Sequence, residues 1–254
     1  MILAIDIGNS NICAAVMQGA KKVASTRIRT YAEGSVSAYL DEVSRFLSKN
    51  GIRPSDVRET AISSVVPCVC RTLTEACEEL FGKKPLSVSR KDPEVPTLAL
   101  HSPERLGKDI LLGAIAARAE YPLPMLIIDI GTATTVCAID ETDTLIGYMI
   151  IPGPYTSVNA LSAKAAQLPE IELDRPDSIF GKDTVSAMQS GILYGSACAL
   201  DGIIDRMEEE MQPAAPLTLI ATGGPAEAII PLCRHTIIRD DDLLLKGLSR
   251  IASR

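Results

Sequence analysis

Tryptophan is absent and aromatic residues make up only 4% of the 254 residues, so any core must be aliphatic. Histidine occurs only twice, which leaves little material for a zinc site. No run approaches the roughly 18 apolar residues of a membrane-crossing helix. The opening Met1-Ile2-Leu3-Ala4-Ile5-Asp6 lacks the basic residues of a secretory signal. These absences set the expectation of a cytoplasmic protein with no membrane attachment. An excess of positive charge is also missing. The formal net charge is -7, which argues against a broad basic surface for nucleic acid. An anionic substrate therefore needs a local positive site working against the global field. The seven cysteines are odd in number and scattered, and they read as reduced thiols. The spacing of Cys68 and Cys70 does not suit a zinc knuckle. What is present is 46% hydrophobic and 22% charged residues, enough for a packed core rather than a disordered chain. The length suits one large domain or two modest ones.

An internal repeat decides between these. Ile2-Leu3-Ala4-Ile5-Asp6-Ile7-Gly8 runs into Asn9-Ser10-Asn11 and then Ile12-Cys13-Ala14-Ala15-Val16. A second copy, Leu126-Ile127-Ile128-Asp129-Ile130-Gly131, runs into Thr132-Ala133-Thr134-Thr135 and then Val136-Cys137-Ala138-Ile139. Each reads as an apolar strand, an Asp-Ile-Gly turn and a return strand. Glycine lets a ligand approach the backbone closely. The polar turn offers hydroxyl, amide and N–H donors that suit phosphate oxygens. The aspartate can hold a cation or its water shell. One such turn is commonplace; two matched copies at the starts of two half-chains point to paired domains, 1–120 and 121–254.

Between the copies, apolar spacing predicts a helix over 35–50, stopped by Gly51. A strand is expected from Thr60 to Pro67, and a helix over 71–81 before Gly82. A short strand is expected at 86–88, and a helix over 109–119 after the break at Gly107. Ser102 before Pro103 resembles an N-cap with proline at N1. In the second half, helices are expected over 155–166 and 183–211, and strands over 144–151 and 217–221. Alternating strands and helices in both halves indicate an α/β fold.

The two hairpins and the late Thr222-Gly223-Gly224 resemble the actin-like ATPase superfamily, which includes acetate and sugar kinases. A closer resemblance rests on Asp6-Ile7-Gly8-Asn9, Ser63 to Pro67, Gly107-Lys108-Asp109, Asp129 to Thr134, Pro152-Gly153, Leu168-Pro169, Gly181 to Thr184, Gly191 to Gly195, Thr222 to Gly224 and Leu245 to Leu248. In this order they are similar to the type III pantothenate kinases, and the likeness spans essentially the whole chain. It implies two related actin-like, ribonuclease H-like domains, each a mixed β-sheet flanked by helices, with a cleft between them. It also implies transfer of the ATP γ-phosphoryl group to the primary hydroxyl of pantothenate, the first step of coenzyme A synthesis. Asp109 then matches the general base. Asp6, Gly8, Asn9, Ser10 and Asn11 match the phosphate-binding turn, with Asp6 also serving Mg2+. Thr132, Gly223 and Gly224 match further ATP-binding positions. Asp129 matches the ligand of a monovalent cation, K+ or NH4+. Gly107, Lys108, Ile110 and Thr184 match pantothenate-binding positions. A homodimer is implied as well.

Five positions depart from that pattern. Ile110 stands where an arginine follows the base, and Gly113 where an asparagine comes three residues later. Leu100 replaces a tyrosine, Tyr148 the second of two glycines, and Ala165 a threonine. All lie on the acceptor side. They leave open a kinase for another small hydroxy compound, or a nucleotide-binding regulator without turnover.

Overall fold

The computed structural model describes residues 1–31 and 34–253. In chain order the elements are β1 (Ile2–Ile7), β2 (Asn11–Gln18), β3 (Lys21–Arg29), α1 (Val36–Lys49), β4 (Glu59–Ser64), α2 (Pro67–Phe81), β5 (Thr97–Leu98) and α3 (Lys108–Glu120). The second half adds β6 (Met125–Ile130), β7 (Ala133–Ile139), β8 (Thr144–Pro152), α4 (Pro154–Lys164), α5 (Thr184–Met211), β9 (Thr218–Thr222), α6 (Ala226–Ile229), β10 (Ile238–Arg239) and α7 (Leu243–Ala252). The chain divides into two compact units. One comprises 1–96, 102–119 and 242–254; the other comprises 97–101 and 120–241.

The first unit is built on a four-stranded sheet in the order β3-β2-β1-β4. β1 pairs antiparallel with β2 and parallel with β4. The continuous apolar run of β1 is buried on both faces. Leu3, Ile5 and Ile7 point with Ile12, Ala14 and Val16 into a core closed by Tyr39, Val43, Phe46 and Leu47 of α1 and by Val69, Leu73 and Ala76 of α2. The small residues Ala4, Ala15 and Ala61 form the opposite face and are also fully buried. Helix α7 packs on β1, β2 and β4. It is tied down by Ser249 Oγ donating to the Gly19 carbonyl at 2.7 Å and by the Lys22–Asp242 ion pair at 2.6 Å. The last helix thus follows the second half in sequence but packs in the first unit.

Local chemistry sets most boundaries. Ser35 caps α1 by accepting from Ala38 N at 3.2 Å. α2 starts at Pro67, four residues before the expected start. The β4 strand stops at Ser64, whose Oγ accepts from Val66 N at 2.9 Å, and proline then fills the first helical position, where no N–H is needed. Gly82 ends α2 in the left-handed region at φ 69. Ser102 makes no cap. Pro103–Arg105 form a single 3-10 turn instead, and α3 begins at Lys108. Residues 86–88 contribute only a single bridge, Leu86 to Ala61. Residues 21–29 carry no strand expectation from the sequence, yet they form the edge strand β3.

The second unit repeats the plan. Its six-stranded sheet has the order β10-β9-β6-β7-β8-β5. β6 pairs antiparallel with β7 and parallel with β9, as β1 does with β2 and β4. Leu126, Ile128, Ile130, Val136 and Ala138 pack under Leu193, Ala197, Leu200 and Ile204 of α5. The two hairpins differ in one detail. Asp6 faces Cys13, whereas Asp129 faces Thr135, so the first turn is one residue longer. The architecture is mixed α/β, two sheets flanked by helices.

Candidate functional site

The residues singled out from the sequence divide between the two units. In the first unit, Asp6 stands on β1 directly beside Cys13 of β2 and Ser63 of β4. Directly paired residues share a sheet face, so Asp6 belongs to the face of Ala4 and Ala15, opposite the apolar core. The following turn is held by Gly8 N donating to the Asn11 carbonyl at 2.9 Å. Asn9 and Ser10 at its tip are exposed. The end of β3 is fastened to this turn. Thr30 N donates to the Ser10 carbonyl at 3.1 Å and Thr30 Oγ1 donates to the Gly8 carbonyl at 2.8 Å.

Asp109 lies in the first turn of α3. Helix α3 is apolar nearly all round, with every residue from Ile110 to Ala117 buried. Such a helix is held as a core element, so its first turn is a rigid platform. α7 adds to this. A Cβ on Gly247 would collide with the Leu112 carbonyl oxygen and lie 3.0 Å from its carbon, so α7 and α3 touch backbone to backbone. The Asp109 carboxylate accepts from Ile110 N at 2.9 Å and folds over Gly107, where a Cβ would strike Oδ1. Lys108 Nζ donates to Ser87 Oγ at 2.8 Å. Ile110 turns its side chain into the packed interior and is 8% exposed.

The charge of Asp109 reaches Asp6. The Asp6 carboxyl is pushed up to about 6. Burial is the main cause, a side-chain hydrogen bond from Ser63 opposes it, and the Asp109 charge adds to it. A half-buried carboxyl that resists ionisation beside a second carboxylate suits a bound divalent cation, which would restore the ionised form. Among the described residues no three His, Cys, Asp or Glu side chains gather as a metal cage. That is compatible with Mg2+, which takes one or two carboxylates and completes its shell with phosphate and water.

In the second unit, Asp129 on β6 stands beside Thr222 of β9 and Thr135 of β7. Gly223 follows with φ 97. A Cβ there would strike the Ile130 carbonyl and lie 2.9 Å from Asp129 Oδ1, so only glycine lets Thr222-Gly223-Gly224 pass against this carboxylate. The exposed turn residue Thr132 is locked through its carbonyl, which accepts from Gly153 N at 3.0 Å and from Thr156 Oγ1 at 2.6 Å. This gives the Pro152-Gly153 motif a structural duty. Thr184 opens α5 and is exposed. The cap of that helix is Asp183, which accepts from Ser186 N at 2.9 Å. The structure therefore places Asp6 beside the 8–11 turn with Asp109 within electrostatic reach, and separately Asp129 against Gly223. Sequence reading missed the part that β3 plays at the first cluster. The available signal was the alternation of Ala24, Thr26 and Ile28 with Ser25, Arg27 and Arg29.

Comparison with known proteins places these clusters in context. The family model described as type III pantothenate kinase matches residues 2–206. A Rhodospirillum centenum protein named type III pantothenate kinase is 38% identical over 259 residues, covering 100% of this chain and 98% of its own. Among solved structures, the Clostridium difficile activator of 2-hydroxyisocaproyl-CoA dehydratase, with bound ADPNP, aligns at a TM-score of 0.55. It is 15% identical and covers 99% of this chain and 92% of its own. A Thermus thermophilus ROK hexokinase aligns at 0.54 with 12% identity, covering 99% and 97%. These structures share the fold. By the family model and the full-length relative, the chain belongs to the type III pantothenate kinase family.

Proposed function

We propose that the protein is a cytoplasmic kinase that transfers the γ-phosphoryl group of ATP to the primary hydroxyl of pantothenate, giving 4'-phosphopantothenate at the start of coenzyme A synthesis. Family membership supports this reading, and one observation on the chain carries its chemistry. Asp109 is fixed on the first turn of a buried helix within electrostatic reach of Asp6. Phosphoryl transfer asks the protein for position and charge balance more than covalent chemistry. The acceptor oxygen attacks the γ-phosphorus, the bond to the β-phosphate oxygen breaks, and ADP leaves. Asp109 accepts the hydroxyl proton. Gly8, Asn9, Ser10 and Asn11 hold the phosphates, and Asp6 would hold their Mg2+, which when bound would offset phosphate charge. Thr132, Gly223 and Gly224 serve ATP. Asp129, beside the Gly223 backbone, suits a monovalent cation, K+ or NH4+. Gly107, Lys108, Ile110 and Thr184 serve the acceptor, with Lys108 as its cation.

A homodimer completes the reading. Among the described residues β5 pairs only with Thr144 and Leu145 of β8, which leaves the rest of that strand as an open edge. It displays Ile146, Tyr148, Met149 and Ile150, with Tyr155 of α4 also exposed. Long apolar edges of this kind call for a cover. Sedimentation of the purified chain at the mass of a monomer would remove this part.

The test is coupled ADP release with ATP, Mg2+, K+ and pantothenate. Turnover should depend on pantothenate, and Asp109→Asn should lower kcat at least about 100-fold while ADP affinity stays unchanged. ATP binding without pantothenate-dependent turnover rejects the acceptor, and full activity of Asp109→Asn rejects the base.

A further inference from the structure

We infer that Arg27 and Arg29 of β3 form a cationic rail that binds the phosphate chain of the nucleotide held at the Asp6–Asn11 turn. This rests on the reading that the turn is the phosphate site. The argument begins with sheet register. Arg27 pairs with Cys13, which pairs with Asp6; Arg29 pairs with Asn11, whose carbonyl closes the Gly8 turn. Direct partners share a face, so both arginines rise from the same side of the sheet as Asp6. The alternate residues Ala24 and Ile28 face the apolar core with Ile12 and Val16. Arg27 stands about 10 Å across the sheet from Asp6, two strand spacings away. The intervening side chain is the small Cys13.

The second observation is the anchoring of this strand. Thr30, next to Arg29, donates from both its N–H and its hydroxyl to the carbonyls of Ser10 and Gly8. β3 and the phosphate turn therefore move as one piece. Both arginines are exposed. Among the described residues neither enters an ion pair or a side-chain hydrogen bond, whereas Lys22 on the same strand is consumed by Asp242. The third observation is electrostatic. A chain of net charge -7 repels a polyphosphate, and the Asp6–Asp109 pair adds two carboxylates at the site. Guanidinium groups give planar, two-pronged contacts to phosphate oxygens. They supply the local positive field that the composition demands.

Calorimetric titration of the full chain with Mg-ADP, AMP and adenosine tests this, using Arg27→Gln, Arg29→Gln and the double variant. The double variant should bind ADP at least about ten-fold more weakly, the loss expected for charged hydrogen bonds. Adenosine affinity should stay within about two-fold, because the rail touches phosphate only. Arg27→Lys and Arg29→Lys should recover part of the loss. The wild-type ADP affinity should fall more steeply with added KCl than that of the double variant. Unchanged ADP affinity in the double variant overturns the inference, and so does an equal loss for adenosine. The readout needs no acceptor. A wild type that binds ADP but does not turn over pantothenate defeats the proposed function and leaves the rail standing. A wild type that binds no nucleotide defeats both.

Discussion

Replacing Asp6 by asparagine is expected to make the nucleotide-free protein more stable at neutral pH while abolishing its activity. The carboxyl has an ordinary value near 3.8 and is pushed up to about 6 in the fold, chiefly by burial. For such a group folding is unhindered below pH 3.8, where it is protonated in both states. As pH rises, the unfolded chain ionises first, and the penalty on folding grows until the folded carboxyl also ionises near pH 6. Linkage sets that penalty at about 3 kcal/mol at pH 7.5 and about 1 kcal/mol at pH 4.5. Asparagine removes it while its amide oxygen can still accept from Ser63. Urea unfolding of wild type and Asp6→Asn at both pH values measures the difference. The gain in the variant should shrink roughly threefold on going to pH 4.5. A gain that does not change with pH, or a variant less stable than wild type at pH 7.5, would refute the view that burial raises the value of this carboxyl. Saturating Mg-ADP should reverse the order at pH 7.5, because the wild type alone regains a cation partner.

Other substitutions probe the supports of the two clusters. Gly223→Ala places a side chain at φ 97 against the Ile130 carbonyl and Asp129. It should cost at least about 2 kcal/mol in urea unfolding and remove any activation by K+; retention of both would show the loop is slack. Gly247→Ala forces α7 away from the Leu112 backbone. It should cost about 1–3 kcal/mol and lower kcat more than the KM for ATP, since α3 carries Asp109 at its start. Equal thermal midpoints for Gly247→Ala and wild type would contradict the close crossing.

The hairpins were legible because both cues are local. An apolar run closed by Asp-Ile-Gly needs no distant partner to be read, and the register of β1 with β2 and of β6 with β7 bears out both strand pairs. Helix α5 was legible to within a residue, because its cap Asp183 and its apolar spacing are written in one stretch. The start of α2 was misplaced because Pro67 can end a strand or open a helix, and Ser64 accepting from Val66 N decides between them. β3 escaped notice because four of its nine residues are charged and its core-facing residues, Ala24 and Ile28, are a weak apolar signal. Edge strands gain their stability from pairing rather than from their own composition.

By itself the sequence determined the paired Asp-Ile-Gly hairpins, the α/β alternation and the aliphatic cores. Each follows from periodicity and turn chemistry within a few neighbouring residues. Only the tertiary structure decided that Asp109 meets the field of Asp6, that α7 returns to seat α3, and that Arg27 shares a face with both Cys13 and Asp6. Those relations join residues dozens to hundreds of positions apart. They exist only once sheet register and helix packing have fixed which side chains share a face.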